Sequence, residues 1–127
     1  MILVIGGLNG FIGSNTTEAL VDIGEYCVVT RHKNTEVPSF LKKHIGERLF
    51  VEEADATKVE DLRRLAERHK IDGIVNVGGF FKSEGPAPGL QGYLDMLSAT
   101  FRMAHEWKLK RIVMSSTGGC TLDFRAL

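Results

Sequence analysis

Directly after Met1 the chain reads Ile2-Leu3-Val4-Ile5-Gly6-Gly7-Leu8-Asn9-Gly10-Phe11-Ile12-Gly13. The four apolar residues predict a short buried strand, and the spaced glycines predict a tight turn that leads straight into a helix. Such a turn brings backbone N–H groups close to any anion that lies at the N-terminus of the helix. Apolar residues continue at helical spacing as far as Ile23, where Gly24 provides a stop signal. We predict an anion-binding turn here; the alternative is a glycine-rich turn that binds nothing.

Apolar, strand-like runs alternate with amphipathic segments along the whole chain. This alternation predicts parallel strands joined by crossover helices. We expect an α/β fold: a three-layer, Rossmann-like, doubly wound parallel sheet of about five strands in the order 3-2-1-4-5, built as one domain over residues 1–127. Strands are predicted near Ile2–Ile5, Tyr26–Thr30, Leu49–Val51, Gly73–Val77 and Arg111–Ser115, helices near Phe11–Ile23, Pro38–Ile45, Lys58–Lys70 and Leu90–Trp107, and an exposed loop over Lys82–Gly89.

Acidic and basic side chains are balanced, with 16 of each, so no overall field attracts the chain to nucleic acid or to an anionic membrane. No apolar stretch approaches the roughly 20 residues that span a bilayer, and the first strand starts too early to leave room for a secretory leader. The two cysteines, Cys27 and Cys120, lack metal-ligand spacing, and the four histidines are scattered. We expect a cytoplasmic protein with reduced cysteines and with no metal site, no nucleic-acid partner and no membrane contact.

Two further glycine pairs follow later predicted strands: Gly78-Gly79 after the fourth and Gly118-Gly119 after the fifth. In a parallel sheet the carboxyl ends of the strands share one edge, and ligands bind outside that edge. Glycines at these strand ends provide the backbone room that a bound dinucleotide needs. The sequence therefore favours a dinucleotide site at the carboxyl edge of the sheet.

Three segments of the chain carry motifs of a known family. Gly7–Gly13 reads G-x-x-G-F-I-G, Asp55-Ala56-Thr57 with Leu62 reads D-h-[ST]-x(4)-L, and Lys110–Thr117 reads as an apolar strand that ends in Ser-Ser-Thr. Together they resemble the extended short-chain dehydrogenase/reductases of the NAD-dependent epimerase/dehydratase type, over nearly all of the chain. The resemblance implies these cofactor-binding residues: Gly7, Gly10, Phe11, Ile12 and Gly13 at the diphosphate, Asp55 and Ala56 at the adenine, and Gly78, Gly79 and Ser115 along the cofactor.

Arg31 stands at the end of the second predicted strand, where an acidic residue would bind the adenosine ribose and repel a 2′-phosphate. Arginine presents donors that suit a phosphate, and Thr30, His32 and Lys33 surround it. We therefore expect NADP to be preferred, with NAD as the second candidate; an exposed arginine without a ligand is the alternative. Asp55 is also open to a second interpretation, as the cap of the following helix, and its two roles are compatible.

Thr117 aligns with the family's catalytic Ser/Thr, which the resemblance implies to hydrogen-bond the reacting substrate oxygen. In the family a Tyr-x-x-x-Lys pair further along the chain moves the proton. This chain has ten residues after Thr117, and the residues four positions beyond Tyr26 and Tyr93 are Thr30 and Leu97. We expect an N-terminal portion, truncated relative to the family, that lacks the catalytic Tyr/Lys helix and the substrate domain and binds nucleotide without turnover.

Two apolar stripes run along the predicted helix Leu90–Trp107. One stripe can cover the sheet, and the second asks for another partner, because so much apolar surface is seldom left in water. We expect a homo-oligomer through this helix; one wide core face is the alternative. The first stripe holds Leu90, Leu94, Leu97, Phe101 and Ala104, and the second holds Tyr93, Met96, Thr100, Met103 and Trp107.

The function favoured by these features is the NAD(P)-binding portion of an oxidoreductase, epimerase or dehydratase that acts by hydride transfer. Its substrate is left open, as a nucleotide sugar or another small carbonyl or hydroxyl compound. The rival function is a complete, non-catalytic module that senses NADP through a protein partner. A sensor must bind its partner differently with and without NADP, so partner binding separates the two hypotheses.

Overall fold

The computed structural model describes residues 1–8, 10–33, 35–79 and 86–116. Strands and helices alternate throughout, as the apolar pattern predicts. The strands are β1 (Ile2–Ile5), β2 (Cys27–Arg31), β3 (Leu49–Glu53), β4 (Gly73–Asn76) and β5 (Ile112–Met114), and the helices are α1 (Gly10–Asp22), α2 (Ser39–Lys42), α3 (Val59–Arg68) and α4 (Pro86–Glu106).

The five strands form one parallel sheet in the order β3-β2-β1-β4-β5. β1 lies in the centre, where Val4 pairs with Val29 on one side and with Val75 on the other. The chain therefore winds outward from β1 in both directions, which leaves a crevice at the carboxyl ends of β1 and β4. This confirms the predicted fold class and strand order.

The core lies in two layers, one on each face of the sheet, because successive side chains of a strand point to opposite faces. Leu3 and Ile5 pack toward α3 and α4, whereas Val4 packs toward α1 and α2. All three are almost completely buried. Burial of each such side chain stabilises the fold by roughly 1.5–3 kcal/mol. The two layers hold the carboxyl edge of the sheet in a fixed position.

Helix α4 differs from the prediction at its start. It begins at Pro86, so Pro86–Gly89 belong to the helix and not to the predicted exposed loop. Pro86 and Pro88 remove no helical hydrogen bond, because the first four N–H groups of a helix have no partner within it. Residues 82–85 of that loop, as well as Thr117 and Cys120, lie outside the described residues.

The two predicted stripes of α4 have different surroundings. Met96, Thr100 and Met103 are buried against the sheet, whereas Leu90 and Phe101 are about half exposed, at 50% and 54%. Leu97 and Ala104 of the first stripe also pack against this core, so a further partner for α4 stays a prediction. Within the described ranges, no helix combines the length and the apolar character needed to cross a membrane.

Cys27 is a buried free thiol at the start of β2. Burial, together with the nearby Glu25 carboxylate, raises the pKa of the Cys27 thiol to about 11. The thiol therefore stays protonated at neutral pH and acts as a small apolar core residue.

Candidate functional site

The glycine turn after β1 is in direct backbone contact with the end of β4. Gly6 has a φ of +77°, and a Cβ built on it would lie 2.6 Å from the Cα of Gly78. A Cβ on Gly13 would overlap the carbonyl oxygen of Gly6. Since neither backbone can yield cheaply, both positions need glycine. This close contact brings β1, β4 and the start of α1 together at one point.

One hydroxyl group of α1 holds the turn in place, and a second bonds within the start of the helix itself. The Thr17 Oγ1 donates to the carbonyl oxygen of Gly7 at 2.8 Å, in a fully buried position. The Ser14 Oγ donates to the carbonyl oxygen of Gly10 at 2.7 Å. The first N–H groups of α1 have no partner within the helix and carry the positive end of its dipole. They are suited to bind a phosphate group.

A cavity of about 380 Å³ opens at the carboxyl edge of the sheet. Segments that follow β1, β2, β3 and β4 line it, together with Gly92, Asp95 and Met96 of α4. Its volume lies within the range of small-molecule sites, which is roughly 300–1,000 Å³. Four of the predicted cofactor-binding residues line this cavity: Asp55, Ala56, Gly78 and Gly79.

The remaining predicted cofactor-binding residues are described but do not line the cavity. In the glycine turn, the lining residues are instead Gly6 and Leu8. Phe11 and Ile12 point away from the core and are 84% and 64% exposed. The set outside the cavity is Gly7, Gly10, Phe11, Ile12, Gly13, Arg31 and Ser115.

Asp55 does not cap α3 as the second interpretation predicted, since the N-cap position of that helix has no side-chain hydrogen bond. Asp55 lines the cavity, and its Oδ1 also accepts hydrogen bonds from the backbone N–H of Thr57 at 3.0 Å and from the Thr57 hydroxyl at 2.6 Å. Burial opposes ionisation, but these bonds and the charges of Lys58 and His32 hold the pKa of the Asp55 carboxyl below its usual value. Asp55 is therefore an anion that shapes the turn before α3 and faces the cavity.

Arg31 and His32 lie on opposite sides of the end of β2. Thr30 and His32 line the cavity, whereas Arg31 lines a second, shallow depression. There the Arg31 guanidinium lies 3.9 Å from Glu53, and its buried Nε has no hydrogen-bond partner among the described residues. The period of two along a strand places residues 30 and 32 on one face. The spacing of two residues from Thr30 is the sequence signal that could have identified His32 as a cavity residue.

Asn76 is a buried polar residue that sequence reasoning missed. Its side chain is 2% exposed, at the end of β4 and beneath the cavity. The Oδ1 accepts from the backbone N–H of Gly78 at 3.0 Å, and the Nδ2 donates to the Thr100 hydroxyl at 2.9 Å. One amide in the otherwise apolar run Ile74–Val77 is the sequence signal that marks this position.

A family model, that of the NAD dependent epimerase/dehydratase family, matches residues 2–122. The chain belongs to this family. The predicted resemblance is thereby confirmed, and the central strand, the glycine turn and the cavity all lie within the matched region. Among curated protein sequences, none matches the chain.

Solved structures of the epimerase/dehydratase type share the fold. The dTDP-glucose 4,6-dehydratase of Bacillus anthracis, in complex with NAD, has a TM-score of 0.74 and 18% identity over 91% of this chain and 37% of its own. The UDP-glucose 4-epimerase of Thermotoga maritima, with UDP-glucose, has a TM-score of 0.67 and 22% identity over 93% and 38%. The GalE-like L-threonine dehydrogenase of Cupriavidus necator, in its holo form, has a TM-score of 0.67 and 24% identity over 87% and 35%.

The chain spans little more than a third of the length of these three proteins. Of the predicted chemistry in the family, Thr117 lies outside the described residues and stays a prediction. Tyr26 precedes β2 and so lies at the amino edge of the sheet, opposite the cavity. Among the described residues, no three His, Cys, Asp or Glu side chains converge to hold a metal ion.

Proposed function

We propose that residues 1–127 form the NAD(P)-binding portion of an oxidoreductase, epimerase or dehydratase that acts by hydride transfer. The observation that carries this proposal is the backbone contact between Gly6 and Gly78 beside a cavity at the carboxyl edge of a parallel sheet. Family membership and the NAD complex of the B. anthracis dehydratase support it.

Each part of the site has a proposed role. The turn Gly7–Gly13 and the N-terminus of α1 bind the diphosphate, and Asp55 with Ala56 faces the adenine. The nicotinamide half lies along Gly78, Gly79 and Ser115, because these residues follow β4 and β5 at the edge where ligands bind. Thr117 would hydrogen-bond the reacting oxygen of a substrate. We propose that these 127 residues bind the nucleotide in the cytoplasm without turnover.

We further propose that NADP is preferred over NAD. Arg31, Lys33 and Lys42 line the shallow depression beside the cavity, and Thr35 lines both. Among the described residues, neither Lys33 nor Lys42 forms an ion pair, so both cations are available to a phosphate. A 2′-phosphate placed at Thr35 would therefore reach three positive side chains, against two carboxylates: Glu36 lines the depression, and Glu53 lies 3.9 Å from the Arg31 guanidinium.

Calorimetric titration of both dinucleotides tests the preference. Arg31→Ala should weaken NADP about 10- to 100-fold, as expected for loss of one charged hydrogen bond of roughly 1.5–3 kcal/mol, and should leave NAD unchanged. Arg111→Ala is the matched control, since Arg111 is exposed next to the start of β5, at the opposite edge of the sheet. Equal losses of NAD and NADP affinity in Arg31→Ala would remove the phosphate role.

The substrate and the assembly are proposed more broadly. Sugar-nucleotide chemistry is favoured by the UDP-glucose and dTDP-glucose enzymes among the neighbours, although the threonine dehydrogenase shows that the fold also serves other small molecules. The half-exposed Leu90, Leu94 and Phe101 of α4 favour a second copy as partner. Leu94→Glu should then lower the sedimentation coefficient of the chain at high concentration, and an unchanged monomeric value in wild type and variant would contradict the assembly.

A further inference from the structure

A chain of buried hydrogen bonds runs beneath the cavity from α4 to the turn after β4. The Thr100 hydroxyl donates to the carbonyl oxygen of Met96 at 2.8 Å. It accepts from the Nδ2 of Asn76 at 2.9 Å, and the Oδ1 of Asn76 accepts from the backbone N–H of Gly78 at 3.0 Å. Thr100 and Asn76 are both almost completely buried. Each of the two side chains therefore joins helix and strand without any contribution from solvent.

Apolar packing alone does not require these two residues. Neighbouring positions of β4 carry isoleucine and valine, and an apolar side chain of similar size would fill the same space. A buried amide is favourable only where its partners satisfy it, because each unpaired buried polar group costs roughly 1–3 kcal/mol. What the amide adds is a fixed acceptor two residues before Gly78, which holds the turn in one conformation.

Gly78 is closely packed on two sides. On one side lies Gly6, and on the other a Cβ built on Gly78 would lie 2.6 Å from the Sδ of Met96. Gly6, Gly78 and Met96 all line the cavity. A small rotation of the Gly78 peptide would therefore move the cavity wall and the glycine turn of β1 together.

We infer that Asn76 and Thr100 are positioning residues for the dinucleotide: they hold the Gly78 peptide in place and so set the affinity of a ligand that neither side chain touches. This inference rests on the proposed nucleotide-binding function. It extends that function because it makes the affinity for the dinucleotide depend on the chain of buried hydrogen bonds between α4 and β4, which lies outside the glycine motif.

The test compares Thr100→Val, which keeps the shape and removes the hydroxyl, with Thr100→Ser, which keeps the hydroxyl. NAD and NADP affinities are measured by calorimetry, at a temperature where every variant is fully folded. The exchange rate of the Gly78 N–H is measured by NMR without ligand. Thr100→Val should weaken both dinucleotides by the same factor of about three to ten and accelerate exchange, while Thr100→Ser should restore both toward wild type.

Val21→Ala is the control for stability, because Val21 is buried in the opposite core layer, near the end of α1. It should destabilise the fold and leave both affinities unchanged. Wild-type affinity in Thr100→Val, together with faster Gly78 exchange, would overturn the positioning role alone. Absence of dinucleotide binding by the wild-type chain would overturn the proposed function, and the positioning role with it.

Discussion

The two ends of the cavity are built in different ways. At the junction of β1 and β4, the backbones of Gly6 and Gly78 touch, and packing leaves no room for a side chain. At the ends of β2 and β3, the cavity is lined by side chains that carry charge or hydrogen-bonding groups, such as His32 and Asp55. We infer that the first end fixes where a diphosphate can lie through shape, and that the second selects the nucleotide through charge.

The largest effect is expected at the close-packed end. Gly13→Ala should cost about 3 kcal/mol of unfolding free energy, because its Cβ would overlap the Gly6 carbonyl oxygen and the backbone would have to shift. Gly79→Ala is the matched control, since a Cβ there meets no heavy atom of the described residues within 4 Å. Urea denaturation measures both. Similar losses in the two variants would mean that close packing at the Gly6–Gly13 contact does not set the cost.

A smaller effect is expected at Asp55, where two roles can be separated. Asp55→Ala removes the acceptor for Thr57 and should cost about 1 kcal/mol of stability, whereas Asp55→Asn keeps an acceptor and should cost less than half of that. Both changes should weaken dinucleotide binding if the carboxylate faces the adenosine. Thermal unfolding and calorimetry on the same samples provide the two readouts. Full affinity in Asp55→Asn would restrict Asp55 to its structural role.

Low pH should destabilise the charged region around β3 before it affects the close-packed junction of β1 and β4. Burial opposes ionisation of Glu52, but hydrogen bonds from His69 at 2.7 Å and from Arg68 at 2.6 Å, with their charges, hold the pKa of its carboxyl below the usual value. Because folding lowers this pKa, the ionised carboxyl stabilises the native state at pH values above its unfolded pKa of roughly 4.3. That stabilisation is lost as the pH falls through the lower, native pKa.

Glu52→Gln should therefore flatten the acid limb of the stability profile, with a modest change at neutral pH. Urea midpoints between about pH 6 and pH 3 measure the slope, which reports the difference in bound protons between the unfolded and native states. The same slope in wild type and Glu52→Gln would show that the charges around β3 do not set the acid response.

The sequence predicted best the features that depend on local pattern. Apolar runs located all five strands, and the spacing of glycines located the turn after β1, because these features depend on periodicity and on backbone conformation. The start of α4 was missed because proline is tolerated in the first turn of a helix. The contacts of Asn76 with Thr100 depend on how α4 packs on the sheet, which no local pattern encodes.

The central claim is that the cavity beside the glycine junction binds a nicotinamide dinucleotide. NMR titration of the isotope-labelled chain with NAD and with NADP tests it most directly, through the backbone N–H signals. The account predicts that the largest shifts fall on Gly6, Asp55 and Gly78, which face the cavity from three different strand ends. No shift at millimolar dinucleotide, or shifts confined to the amino edge of the sheet around Tyr26, would contradict it.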